Sequence, residues 1–452
     1  MTVKFLFINA INEGKDIETR YPPLGIGYLI SSLRKRFGKN IFEFRLVTGN
    51  VEKEIENFKP DIVGISSVSQ NYGRAVAYAA LAKKLKIPVL CGGVHITMLP
   101  GSLSTEMDAG VLGEGEETVC ELLQVFLNKK CFKKNDLCSI KGIVYWDGVE
   151  LRETPQRDLI SPLDKLPFPA REFFTIKNST YLFSSRGCPY RCTFCVSSRF
   201  WDKVRMFSAA YVAEEIEFLV KQYGVTELNF YDDIFSVNIE RIKALIKVLK
   251  EKNILGKIKI VCSIRANLVN DGTISLLKEI GVTSVGIGFE SGSEEILKYL
   301  KLNVKISDNE NAVRITQEHG MQVYGSFIIG SPGEEKKDIL ETFKFIKRSR
   351  LAGFNLYVLT PFPGTPVWGY ALSKGLVSEQ MNWDKLNVDF GEAHESAIIL
   401  SDKLSRSELY GLYRKIMRYK KSREFMGQIK AVLLDPGILI RAIIKRIKLF
   451  SS

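Results

Sequence analysis

Two stretches of this chain, residues 3–130 and 181–360, repeat one pattern: a short Val/Ile/Leu-rich run followed by an amphipathic segment. Runs that are apolar throughout belong to strands buried on both faces. Helices must cover those faces, so the alternation restricts the fold to parallel α/β layers. In the first stretch Val3 to Asn9, Ile41 to Val47, Asp61 to Ser66 and Ile87 to Cys91 read as strands. Helices fit Leu24 to Phe37 and about Gly73 to Leu85. This is the pattern of a doubly wound parallel sheet, whose ligands bind beyond the carboxyl ends of the strands. Three segments fall at such ends: Ser66-Ser67-Val68-Ser69, Gly92-Gly93-Val94-His95 and Leu112-Gly113-Glu114-Gly115-Glu116.

The second stretch predicts strands at 181–185, 226–232, 258–265, 283–290, 322–329 and 354–360, with helices between them such as Ala210 to Gln222 and Ile239 to Lys252. Six strand–helix units suit a partial (β/α)6 barrel better than a full eight-unit one, and functional residues then belong at the strand C-termini. Between the stretches, Asp147-Gly148 signals a hairpin. Three prolines in Ser161 to Ala170 suggest an extended linker. The expected division is 1–140 for the first sheet, 141–178 for hairpin and linker, 179–385 for the barrel and 386–452 for a mainly helical C-terminal segment.

Arg186-Gly-Cys-Pro-Tyr-Arg-Cys-Thr-Phe-Cys195 follows the first barrel strand and places Cys188, Cys192 and Cys195 within eight residues. Iron–sulfur clusters are normally held by four thiolates. With three at close spacing and no fourth, one iron of a four-iron cube lacks a protein ligand. An open coordination position marks a reactive metal site. Zinc is the first alternative, but a structural zinc site takes four ligands, and the nearest histidines in sequence are His95 and His319. A disulfide is the second, and it leaves an odd thiol.

The spacing, with Pro189, Tyr190 and Phe194 between the cysteines, closely resembles the radical SAM superfamily. The resemblance implies a 4Fe-4S cluster on Cys188, Cys192 and Cys195, whose free iron is chelated by the amino and carboxylate groups of S-adenosylmethionine (SAM). It implies that Phe194 packs near the adenine. Asp232 and Asp233, ending the second strand, resemble the segment that accepts hydrogen bonds from the methionyl ammonium, although Asp is also common as a helix cap. Arg265 is a candidate for the co-substrate carboxylate, with an internal ion pair as the alternative. Glu290 can bind ribose hydroxyls, and the backbone around Gly330 can wrap the adenine. Each segment alone is a weak signal, because Gly/Pro turns commonly follow strands. Their order behind the triplet is what carries weight.

The N-terminal segment resembles the Rossmann-like cobalamin-binding domain that precedes the barrel in one branch of that superfamily. The matching features are Tyr21-Pro-Pro-Leu-Gly-Ile-Gly-Tyr28, Gly92-Gly-Val-His95 and Gly113-Glu-Gly-Glu116. The resemblance implies cobalamin against Ser66, Ser67, Gly92, Gly93, His95, Gly113 and Glu114, with the glycines allowing close approach. An Asp-x-His-x-x-Gly motif surrounds none of His95, His319 and His394, so a cobalt without a histidine ligand is expected. Methylthiotransferases carry a second N-terminal cysteine triplet and a C-terminal β-barrel. Here the first ninety residues hold no cysteine, which argues against that branch. The implied activity is methylation of an unactivated carbon through methylcobalamin, fed by a one-electron reductant such as flavodoxin or ferredoxin. An oxidative cyclase or rearrangement enzyme without methyl transfer, and a non-enzymatic corrinoid carrier, are the alternatives.

Outside the triplet the cysteines are irregularly spaced, as expected of reduced intracellular thiols. No apolar run is long enough to span a bilayer, so a cytoplasmic protein, soluble or peripheral, is expected. Much of the net charge of +13 lies in the last forty residues. No nucleic-acid recognition module accompanies it, and nucleic acid is an unlikely partner. From about Phe425 apolar residues mix with Lys430, Arg441, Lys445, Arg446 and Lys448. That mixture suits either a helix at an anionic membrane surface, serving a lipid substrate, or a helix packed on the barrel of an enzyme acting on a small molecule.

Overall fold

The computed structural model describes residues 2–14 and 21–434. The first sheet has seven strands: β1 (Val3–Ala10), β2 (Phe42–Val47), β3 (Ile62–Ser67), β4 (Val89–Gly92), β5 (Ala109–Val111), β6 (Ile143–Asp147) and β7 (Glu150–Glu153). Their order is β2-β1-β3-β4-β5-β6-β7. β1 to β5 run parallel, and β1 is buried along almost its whole length. The reversal of order at β1 and β3 is the switch point at which such sheets bind ligands. In the register of β3 with β4, Ser66 lies beside Gly92, so two of the three strand-end segments share one edge.

The hairpin expected at Asp147-Gly148 forms, but it is not a free connector. β6 pairs antiparallel with β5, and β7 closes the sheet. The proline-bearing segment is also packed rather than loose. Ala170 donates its N–H to Gly27 at 3.0 Å. Arg171 is fully buried, bonded to the Tyr181 carbonyl and to Glu215.

The second sheet has six parallel strands: β8 (Ser179–Leu182), then, after a short β9 (Ser185–Arg186) and β10 (Arg205–Met206), β11 (Glu227–Phe230), β12 (Lys259–Ile264), β13 (Val282–Glu290), β14 (Gln322–Ile329) and β15 (Gly353–Val358). They stand in chain order from β8 to β15. This is the partial barrel, and the six strands fall where the apolar runs predict them. Its helices carry local start signals. Ser208 caps Ala209–Tyr223 and Asn238 caps Ile239–Glu251, each side chain accepting a backbone N–H.

One apolar core lies between the barrel sheet and its helices, around Leu228, Ile260, Val285, Phe289 and Phe345. Another joins the two sheets. Leu6, Ile8, Val63 and Ile65 of the first sheet share it with Ile328, Trp368, Trp383 and Leu386. That shared core holds the strand ends of the first sheet against the barrel.

The described part of the C-terminal segment is mainly helical, as expected. Between Leu386 and Ser405 the chain is irregular, and a single helix follows at Arg406–Leu434. The tail from residue 435, including Pro436 and the basic positions from Arg441 on, lies outside the described residues. Among the described residues no helix is long and apolar enough to cross a membrane.

Candidate active site

The cysteine triplet sits in a loop whose ends are tied together. β9 and β10 pair antiparallel, Arg186 opposite Arg205, and enclose residues 187–204. Gly187 makes the turn into the loop at φ +96, where a Cβ would stand 2.7 Å from the Lys203 carbonyl oxygen. No larger residue fits there. Cys188, Cys192 and Cys195 are partly buried free thiols. Arg199 donates to the carbonyls of Cys192 and Cys195 at 3.1 and 2.9 Å, and Thr193 N–H bonds the Leu300 carbonyl.

Burial above all, with the charges of Asp233 and the neighbouring cysteines acting in the same direction, pushes the Cys188 thiol up and Cys195 to about 11. Three thiolates on one loop need a cationic partner. The described residues hold no preformed cage of three His, Cys, Asp or Glu ligands. The donor set nonetheless fits an iron–sulfur cluster: three soft sulfurs on one closed loop.

A cavity of about 640 Å³ opens between the first sheet and the barrel. Ser66, Gly92, Gly93, Gly113 and Glu114 line one side; Phe183, Arg186, Trp201, Tyr231 and Asp233 line the other. Gly93 has φ +103, and a Cβ there would lie 2.5 Å from the Ser67 carbonyl oxygen. A Cβ at Gly25 or Gly113 would meet nothing within 4 Å. This open space beside a strand-end backbone suits a bulky corrinoid.

The other sequence-predicted residues divide by location. Asp233 lines the cavity and accepts a hydrogen bond from Ser197 Oγ. Asp232 reaches the same wall, but its carboxylate already accepts from the N–H and hydroxyl groups of Ser184 and Ser185. Arg241 lies 3.7 Å from it. Burial raises the Asp232 pKa against those contacts. Glu114 is held by Arg186, by Arg205 at 2.7 Å and by the Ile160 N–H.

Ser67, Phe194, Arg265, Glu290 and Gly330 do not line this cavity. Ser67 Oγ bonds the Val68 carbonyl, and Phe194 packs into the core shared by the two sheets. Arg265 points to the cysteine loop, where Nη1 is 3.5 Å from Cys192 Sγ. Glu290 is buried beside Lys301 at 3.3 Å, and Gly330 donates its N–H to Glu334.

His95 is fully buried away from the cavity. It stacks on Tyr72 at 3.9 Å, meets Trp383 edge-on at 4.5 Å, and its Nε2 pairs with Ser102 Oγ at 2.9 Å. Desolvation lowers its pKa to about 3, so the ring is neutral.

Sequence reasoning quoted Arg186 and Tyr28 within motifs without giving either a role, and missed Trp201. Arg186 bonds Glu114 and Glu116 while its guanidinium lies over Tyr28 at 5.2 Å and Trp201 at 5.6 Å. Its place immediately before Gly187-Cys188 was the available signal.

A B12 binding domain matches residues 14–123 and the Radical SAM superfamily matches residues 182–346. The chain is 32% identical over 385 residues to "Uncharacterized methyltransferase PH0819" of Pyrococcus horikoshii, covering 82% of each. It is 25% identical over 461 residues to the anaerobic magnesium-protoporphyrin IX monomethyl ester cyclase of Rubrivivax gelatinosus, covering 96% of this chain and 79% of the relative. The fold is similar to that of the radical S-adenosylmethionine methyltransferase TsrM of Kitasatospora setae, with a TM-score of 0.69 at 19% identity over 83% of this chain and 77% of that one. The cofactors of such a protein are a 4Fe-4S cluster, SAM and cobalamin. The chain belongs to the radical SAM superfamily, in the branch whose barrel follows a B12-binding domain, and is a cobalamin-dependent radical SAM enzyme.

Proposed function

We propose that the protein methylates an unactivated carbon of a small molecule held between its two sheets. The observation that carries this reading is the shared cavity. Strand-end glycines of the first sheet and Tyr231 and Asp233 of the barrel line the same space, which supports a substrate held between the two domains; the three cysteines stand on the adjoining loop rather than in the lining. The methyltransferase relative at 32% identity supports the same reading. When bound, the cluster supplies the electron that cleaves SAM and the corrinoid supplies the methyl group.

The chain's own residues have positioning tasks. Cys188, Cys192 and Cys195 are the cluster ligands in this reading. Asp233, facing the cavity, is placed to hold the ammonium of the co-substrate. Ser66, Gly92, Gly93 and Gly113 form the corrinoid edge, and Glu114 serves it indirectly by fixing Arg186 and Arg205. Phe183, Trp201 and Tyr231 give the cavity an aromatic wall.

Anaerobic turnover should yield both 5′-deoxyadenosine and S-adenosylhomocysteine, because a second SAM must restore each methyl group donated. Formation of 5′-deoxyadenosine alone would favour the second reading, oxidative cyclisation without methyl transfer. The cyclase relative, aligned over 96% of this chain, is the observation behind that alternative. A flavodoxin- or ferredoxin-like donor in the cytoplasm completes the proposal.

Peripheral membrane contact belongs to the same proposal. Lys420 bonds Asn355 and Arg423 bonds the Leu351 carbonyl, tying the C-terminal helix to the barrel. Beyond them Phe425, Met426, Ile429 and Leu433 are exposed. They recur at helical spacing, as an interfacial face requires.

A further inference from the structure

Arg265 immediately follows β12 and is only 2% exposed. Each of its three nitrogens is engaged. Nε donates to Asn267 Oδ1 at 3.0 Å, Nη2 to the Leu302 carbonyl at 2.6 Å, and Nη1 to Cys192 Sγ at 3.5 Å. The guanidinium also stacks on Tyr190, 3.8 Å from the ring centroid. Tyr190 lies between Cys188 and Cys192, so the cysteine loop itself supplies the stacking platform. Asn267 is fixed in turn by the Asn303 carbonyl at 3.1 Å. A cation is thus clamped from both sides with one donor aimed at a cluster ligand.

We propose that Arg265 is a positioning residue that raises the reduction potential of the cluster through its hydrogen bond to the Cys192 sulfur. Reduction adds negative charge to the cluster. A fixed positive charge and an N–H donor beside a ligand sulfur stabilise the reduced form. Burial keeps that charge from being screened by salt. Both the charge and the planar fork contribute, and lysine reproduces only the charge.

The test uses full-length protein, anaerobically reconstituted, with cluster midpoints read by a redox titration followed by electron paramagnetic resonance. Arg265→Gln should retain its iron and become at least tenfold harder to reduce, a shift of 59 mV to more negative potential for one electron. Arg265→Lys should fall between it and the parent. An unchanged midpoint in an iron-replete Arg265→Gln protein would overturn the proposal. A raised KM for SAM with an unchanged midpoint would do the same and assign the guanidinium to the co-substrate carboxylate. Should Arg265→Gln fail to hold iron, Asn267→Ala carries the test, because it releases the guanidinium without removing it. A more negative midpoint there supports the proposal, and an unchanged one overturns it. No substrate is needed, so the result is independent of methyl transfer.

Discussion

Arg186, two residues before Cys188, is bonded to Glu114 at the end of the first sheet, and both side chains are buried. Glu116 holds the second guanidinium nitrogen at 2.6 Å. The cysteine loop is therefore anchored to the strand ends of the first sheet. Arg186→Ala leaves buried carboxylates short of their partner, which costs about 3–5 kcal/mol when a buried pair is broken. Denaturant unfolding of the apo protein should show a loss of that size. A loss below about 1 kcal/mol, the value of an exposed pair, would mean that water replaces the guanidinium.

Adjacent glycines at the end of β4 should respond differently to substitution. Gly93→Ala places a Cβ against the Ser67 carbonyl at a backbone conformation L residues rarely adopt, so it should destabilise the apo fold. At Gly92 a Cβ makes only ordinary contacts with Val111, at 3.8 Å. Gly92→Val should therefore leave the unfolding midpoint nearly unchanged and weaken cobalamin binding by filling the cavity edge. Cobalamin titration followed by absorbance checks this; undiminished affinity would place the corrinoid elsewhere.

Much of this architecture was legible because its signals are local. Apolar runs, caps and the Asp147-Gly148 turn each lie within a few residues. The partners of the turn were not legible: β6 joins the sheet at β5, about thirty residues earlier, and no local period encodes that pairing. Side-chain commitments were hidden for the same reason. Asp232 is taken up by Ser184, 48 residues away, and Arg186 by Glu114, 72 residues away. His95 follows two strand-end glycines and so reads as a cofactor-binding residue, yet it packs against Trp383, which comes after the last barrel strand.

Glu334 gives the fold a pH dependence. It is fully buried, with one carboxylate oxygen accepting from Gly330 and Ser331 and the other without a partner. Desolvation outweighs those bonds and pushes its pKa from 4.5 up to about 8. Because the folded value lies above the unfolded one, its contribution to stability is full below about 4.5 and is lost as pH rises through about 8. Stability measured from pH 5 to pH 8 should fall more steeply in the parent than in Glu334→Gln. Parallel profiles would mean that Glu334 is ionised in the fold.

The exposed face at Phe425, Met426, Ile429 and Leu433 predicts lipid binding that depends on the tail. Full-length protein should co-sediment with anionic vesicles at low salt, and a chain ending at Arg423 should not. Equal binding of both, or none by either, would remove the membrane role.

The most direct measurement of the central claim is anaerobic turnover of reconstituted holoenzyme with SAM carrying a trideuterated methyl group, a reductant and cell extract, followed by mass spectrometry. The account predicts 5′-deoxyadenosine together with a new product heavier by one trideuteromethyl group, both lost when Cys188, Cys192 and Cys195 are replaced by Ala. Turnover in which 5′-deoxyadenosine forms and no product carries the label would contradict methyl transfer, and cleavage of SAM by the triple variant would contradict the cluster assignment itself.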